Sequence, residues 1–106
     1  MAVFFETSVF TRRVTKLLSD SEYADLQRML IVNPDVGDVI PGSGGLRKLR
    51  WAMQGRGKRS GARVIYYHLI SRNQFYMLLI YGKNEQDDLS PEQLRMLKKA
   101  VEVLWQ

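Results

Sequence analysis

Apolar and polar positions alternate with different periods along this chain. The run Ala2 to Glu6 (AVFFE) is short and apolar and reads as a strand. Thr7 or Ser8 then caps a helix whose apolar positions Phe10, Val14, Leu17 and Leu18 fall on one face. Ser19 to Glu22 has the S-x-x-E form of a capping box and opens a second helix with Tyr23, Leu26 and Leu30 as its buried stripe. Asn33-Pro34 ends it, because the residue before proline is pushed out of the helical region. The two helices pack side by side as a hairpin.

The segment from Pro34 to Gly45 holds four glycines and two prolines and reads as a flexible connector. Its GSGGL sequence lacks the G-K-[ST] ending of a phosphate-cradling loop and leads into a strand, which argues against a nucleotide site. From Leu46 to Met53 the period becomes two: Leu49, Trp51 and Met53 point toward the helices, Lys48, Arg50 and Ala52 toward solvent. Gln54 to Gly61 is a basic, glycine-containing loop. Ala62 to Ile70 and Phe75 to Tyr81 are strands joined by a turn at Ser71 to Gln74. Both are apolar at nearly every position, which places them at the centre of a sheet. Ser90-Pro91-Glu92-Gln93 supplies an N-cap, a first-turn proline and a capping-box partner for a last helix with Leu94, Leu97, Val101 and Leu104 on one face. The order β-α-α-β-β-β-α predicts an α+β domain, an antiparallel twisted sheet with two N-terminal helices and one C-terminal helix packed on it.

Composition narrows the function. At 106 residues there is room for one domain, residues 1–106, and one core. Cysteine is absent and histidine occurs once, which removes thiolate metal sites and argues against a histidine-based one; no metal and no cofactor are expected. No apolar run reaches the ~18 residues of a membrane span, and the N-terminus lacks a signal-peptide layout, so a cytoplasmic protein without membrane contact is expected. The formal net charge is +5. Arg47, Lys48, Arg50, Arg56, Lys58, Arg59 and Arg63 place seven of the 16 basic residues between Leu46 and Leu69. Cations held on strands beside aromatic side chains suit a phosphate backbone, and RNA is the first ligand to consider.

Four local sequences follow one another in this half of the chain: L-R-K-L-R at Leu46 to Arg50, G-K-R-S-G at Gly57 to Gly61, A-R-V-I-Y-Y at Ala62 to Tyr67, and L-L-I-Y-G-K-N-E at Leu78 to Glu85. In that order and spacing the chain resembles RelE-like toxins of bacterial type II toxin–antitoxin systems, most of all the HigB branch with its extended basic loop. The resemblance covers almost the whole chain. It implies a ribosome-dependent mRNA endoribonuclease (an mRNA interferase) that inhibits translation at the ribosomal A site. It also implies neutralisation by a cognate antitoxin, a helix-turn-helix protein encoded by an adjacent gene. By resemblance, Arg63, Arg50 and Lys83 occupy the positions of functional cations. The arginine that follows the lysine in the family's best-known member is Asn84 here, and no tyrosine occurs after Tyr81. The resemblance therefore leaves the general acid and base unassigned.

Cleavage of RNA without a metal uses the ribose 2′-hydroxyl as nucleophile, and cations aimed at the developing charge supply much of the catalysis. Arg63, Arg50 and Lys83 are the catalytic candidates. Lys48, Arg56, Lys58, Arg59, Tyr67 and Tyr81 are candidates for binding RNA or the ribosome, the tyrosines by stacking on bases. Plainer readings stand beside these. Lys48 and Arg50 fit an ordinary solvated strand face. Arg63 reads as a solvent-facing arginine at a strand start, able to pair with Glu85 or Asp87. His68 fits a satisfied sheet histidine better than a catalytic base. Glu85, Asp87 and Asp88 are candidates for a base, and Asp87 and Asp88 equally suit the N-terminus of the last helix. Two other functions compete on this pattern: a non-catalytic inhibitor of the ParE type, acting through protein contacts, and a non-toxic RNA-binding domain.

Overall fold

The computed structural model describes residues 1–52, 61–86 and 88–105, the last of these by its backbone. Among the described residues the elements run β1 (Val3–Glu6), α1 (Ser8–Leu17), α2 (Asp20–Val32), β2 (Asp38–Val39), β3 (Arg47–Trp51), β4 (Ala62–Leu69), β5 (Gln74–Gly82) and α3 (Pro91–Glu102). No described helix is long and apolar enough to cross a membrane.

Local chemistry sets the helix ends. Thr7 is the N-cap of α1, its hydroxyl accepting from the Phe10 amide at 3.1 Å. Ser19 and Glu22 complete the capping box of α2, and Ser90 and Gln93 that of α3 with Pro91 in its first turn. Each cap satisfies amide donors that the helix leaves open.

The five strands form one sheet in the order β1-β5-β4-β3-β2. The two strands with the most continuous apolar sequence, β4 and β5, are interior, as their composition predicts. The sheet is mixed, not antiparallel throughout: β1 runs parallel to β5, with Val3 opposite Gln74 and Glu6 opposite Met77. The connection from β1 to β5 runs through α1, α2 and the strands β2 to β4, which gives the length that parallel neighbours need.

Two cores lie on opposite faces. Phe10, Val14, Leu26 and Leu30 from α1 and α2 pack on Leu49, Val64, Tyr66, Phe75, Met77 and Ile80. On the other face Val101 of α3 packs with Leu46, Ile65, Leu78 and Tyr81, flanked by Leu94 and Leu97. A bulge divides β5 between these faces. Ile65 pairs with Leu79 but Tyr66 pairs with Met77, so Leu78 is an extra residue. Tyr76 and Tyr81 are five positions apart and plain alternation would put them on opposite faces. The bulge places both on the face that carries Arg63.

The connector read as flexible is a fixed turn. Asp38 and Val39 pair antiparallel with Lys48 and Arg47. Ser43 is fully buried, donating to the Ile40 carbonyl at 2.5 Å and accepting from the Leu46 amide at 3.0 Å. Gly42, Gly44 and Gly45 all have positive φ, which is the use this segment makes of its glycines. Tyr66 ties the connector to the sheet: its hydroxyl donates to the Pro34 carbonyl at 2.6 Å and accepts from the Gly37 amide at 3.0 Å.

A candidate anion site at one end of the sheet

Three strands carry the site. Arg50 of β3 stands directly opposite Arg63 of β4, and Arg63 directly opposite Tyr81 of β5. Lys83 follows β5 in a turn, and its amide donates to the Gly61 carbonyl at 2.9 Å. Arg50, Arg63 and Lys83, all named from the sequence as catalytic candidates, line one cavity of about 260 Å³ with Trp51, Ala52 and Gly61.

Their surroundings differ. Arg50 and Lys83 are exposed. Arg63 is 5% exposed, which corrects its reading as a solvent-facing strand residue. The cause is topological: β4 is the central strand of five, so even the first residues of the strand are enclosed. Its expected partner Glu85 is taken elsewhere. The Glu85 carboxylate pairs with Arg13 of α1 and accepts from the Gly82 amide at 2.9 Å, while Arg13 Nε donates to the Ile80 carbonyl at 2.7 Å. The Gly82 bond first, and then the bond from Arg13, holds the Glu85 carboxyl below its ordinary range. These contacts pin the turn that carries Lys83. Arg13 is a residue that sequence reasoning missed, because nothing in its helical position signals a partner 67 to 72 residues away.

Lys48 lies beside the cavity, half-buried, in an ion pair with Asp88. The Asp88 carboxylate, which the sequence left between a base and the N-terminus of α3, is thus bound by a cation of β3. The hydrogen bond from Lys48 is the main reason its carboxyl lies below the usual carboxylate range. The charge of Lys48 is the next cause, and Arg50 and Arg63 add to it. One carboxylate thus senses the field of three cations.

The remaining candidates separate. Tyr81 is 1% exposed within the second core, packed with Val101 of α3, so its ring is not open to a base. Tyr67 is half-buried opposite Tyr76, and lines another cavity with Arg47 and His68. Arg47 belongs to the fold, donating to the Gly37 carbonyl at 2.7 Å and pairing with Asp35 at 3.4 Å. His68 stacks on Phe75 with ring centroids 4.4 Å apart, and its Nε2 lies 3.0 Å from Asn73 Oδ1. Arg56, Lys58, Arg59 and Asp87 lie outside the described residues. Trp51 was read only as an apolar position; its indole N–H is buried and meets no acceptor among the described residues.

Two guanidinium groups and an ammonium around one open cavity can hold a tetrahedral oxyanion through charge-assisted hydrogen bonds. Arginine cannot give up its proton near neutrality, so of the three only Lys83 can also transfer one. Residues 3–106 match the family model described as the RelE toxin of the RelE / RelB toxin-antitoxin system.

Proposed function

Since the chain belongs to the RelE toxin family, and is thereby the toxin of a toxin–antitoxin pair with a cognate antitoxin as partner, we propose that it is an mRNA endoribonuclease acting on the ribosome. Toxins of this family are generally endoribonucleases. The observation that carries the reading for this chain is the convergence of Arg50, Arg63 and Lys83 on one cavity.

In the proposed reaction the 2′-oxygen of a ribose attacks the adjacent phosphorus and its proton passes to water. The P–O5′ bond breaks, leaving a 2′,3′-cyclic phosphate and a 5′-hydroxyl. Arg50 and Arg63 bind the nonbridging oxygens, where charge grows toward the phosphorane, and Lys83 protonates the departing 5′-oxygen. A site built before the substrate arrives pays little reorganisation during the step, which is why preformed cations accelerate it. Lys48 and Tyr67, with Arg56, Lys58 and Arg59, are assigned to RNA and ribosome contacts, where each phosphate contact contributes a salt-dependent share of affinity.

Induction of the protein in a bacterial cell, followed by mapping of mRNA 5′ ends, tests the proposal. Translation should stop and cuts should keep a fixed phase with the reading frame. Cuts without phase would refute ribosome dependence, and intact mRNA in arrested cells would refute the nuclease.

A further inference from the structure

The cavity that holds Arg63 and Lys83 has a neighbour on the far side of Arg50. This second cavity, of about 280 Å³, has Arg50 in common with the first and is otherwise walled by Asp38, Val39, Ile40, Pro41, Lys48 and Asp88. It falls just under the ~300 Å³ at which pockets for whole small ligands begin, and so suits one part of a larger ligand. Its walls combine apolar surface with two carboxylates, of which Asp88 is bound by Lys48. Val39 is 53% exposed. Asp38 is exposed, and its carboxylate makes no ion pair or hydrogen bond among the described residues. Lys48 stands directly opposite it in the β2–β3 pairing, but the Lys48 ammonium is committed to Asp88.

We infer that this second cavity receives the base of the nucleotide whose phosphate lies between Arg50 and Arg63, and that Asp38 makes it select guanine. The inference rests on the phosphate reading of the first cavity. A carboxylate only accepts hydrogen bonds, through two oxygens. The Watson–Crick edge of guanine presents N1–H and N2–H side by side and satisfies both. Adenine and cytosine set one amino group beside an acceptor nitrogen, and uracil flanks a single N–H with two carbonyls, so each brings an acceptor against the carboxylate. Arg50, at the boundary, can offer its guanidinium plane to the base while its N–H groups face the phosphate. Val39, Ile40 and Pro41 supply apolar surface for the ring.

The test reads binding and not cleavage. Isotope-labelled protein is titrated with 3′-GMP, 3′-AMP, 3′-CMP, 3′-UMP and inorganic phosphate while the amide signals of Val39, Ile40, Gly61 and Arg63 are followed. 3′-GMP should bind roughly ten- to a hundred-fold more tightly than 3′-UMP, the discrimination expected of one good bidentate base contact, and should move Val39 and Ile40. Asp38→Asn, which keeps shape and should keep the spectrum dispersed, should reduce that ratio to less than about threefold while phosphate binds no more weakly. Equal affinities for the four nucleotides, or a guanine preference that survives Asp38→Asn, would overturn the inference. If phosphate still moves Gly61 and Arg63 in that case, the phosphate site stands and only the base site falls. If phosphate moves neither, both fall.

Discussion

Arg50 and Arg63 face each other directly across the β3–β4 ladder. Like charges at opposed positions destabilise an antiparallel pair, by an amount comparable to the ~0.2–1 kcal/mol that a favourable pair contributes. An anion held between them removes that repulsion. Because such an anion binds the folded state and not the unfolded one, it raises stability by mass action. Inorganic phosphate at ten times its Kd should therefore raise the thermal midpoint by roughly 5–10 °C over chloride at equal ionic strength. Arg50→Gln should remove this excess. A midpoint that responds equally to phosphate and chloride would mean that the two arginines do not share an anion.

The burial of Arg63 sets what its substitution should do. Arg63→Ala should abolish cleavage and also cost about 1–3 kcal/mol, because the stem of the side chain is enclosed in the sheet and its loss leaves a void. Arg63→Lys keeps charge and most of the stem but loses the planar fork, and should cleave about ten- to a hundred-fold more slowly with a smaller change in stability. Arg50→Ala and Lys83→Ala, at exposed positions, should lose one to two orders of magnitude in rate with little effect on the midpoint. Denaturant unfolding beside single-turnover cleavage separates the two effects. A stable and fully active Arg63→Ala protein would remove Arg63 from the site.

Much of this arrangement is legible in the sequence because it is local. The capping boxes at Ser19 and Ser90, the stop at Asn33-Pro34 and the alternation of Leu49 and Trp51 with Lys48 and Arg50 each depend on residues a few positions apart. What is not legible depends on distant partners. The parallel pairing of β1 with β5 joins residues about 71 positions apart. The extra residue at Leu78 breaks the alternation of β5, and a run of apolar residues hides such a break; it moves Tyr81 from the face of α1 and α2 to the face covered by α3. Arg63 read as exposed because it opens its strand; composition already placed β4 at the centre of the sheet, but not that the first residues of the strand are enclosed with the rest. Asp38 sits in a segment that its glycines and prolines mark as a loop, so its place beside the site appears only once β2 is paired.

The turn that carries Lys83 should be sensitive to acid through Glu85. Its carboxyl has a pKa below the ordinary value of 4.5, owing first to the Gly82 amide and then to Arg13. A lowered pKa in the folded state means that this stabilisation is complete above the unfolded value. It is lost as the pH falls through the folded one, so stability should decline below about pH 4.5. Glu85→Gln should flatten the acid limb of the stability–pH curve. Both side chains of the Arg13–Glu85 pair are more than a third exposed, so its loss should cost no more than about 1 kcal/mol. Arg13→Ala should instead slow single-turnover cleavage about three- to tenfold by loosening the Lys83 turn, and should leave RNA affinity nearly unchanged. A loss of affinity with an unchanged rate at saturation would place Arg13 in binding and not in positioning.

Asp88 holds Lys48 in an ion pair at the edge of the cation cluster, in the field of Arg50 and Arg63 as well. A phosphate backbone crossing this edge must compete with that carboxylate for the ammonium. Asp88→Asn removes the competitor and one negative charge together, so single-stranded RNA should bind more tightly. One further phosphate contact should steepen the fall of log K with log salt by about 0.7, the value for single strands. Combining Asp88→Asn with Lys48→Ala should return the slope to that of the original protein, since the freed ammonium is then absent. Titrations at four or more salt concentrations measure this directly. An unchanged slope in Asp88→Asn would show that Lys48 does not reach the backbone. The pair would then serve to tie β3 to the entry of α3, and the substitution should instead lower the thermal midpoint slightly, as expected for an exposed ion pair.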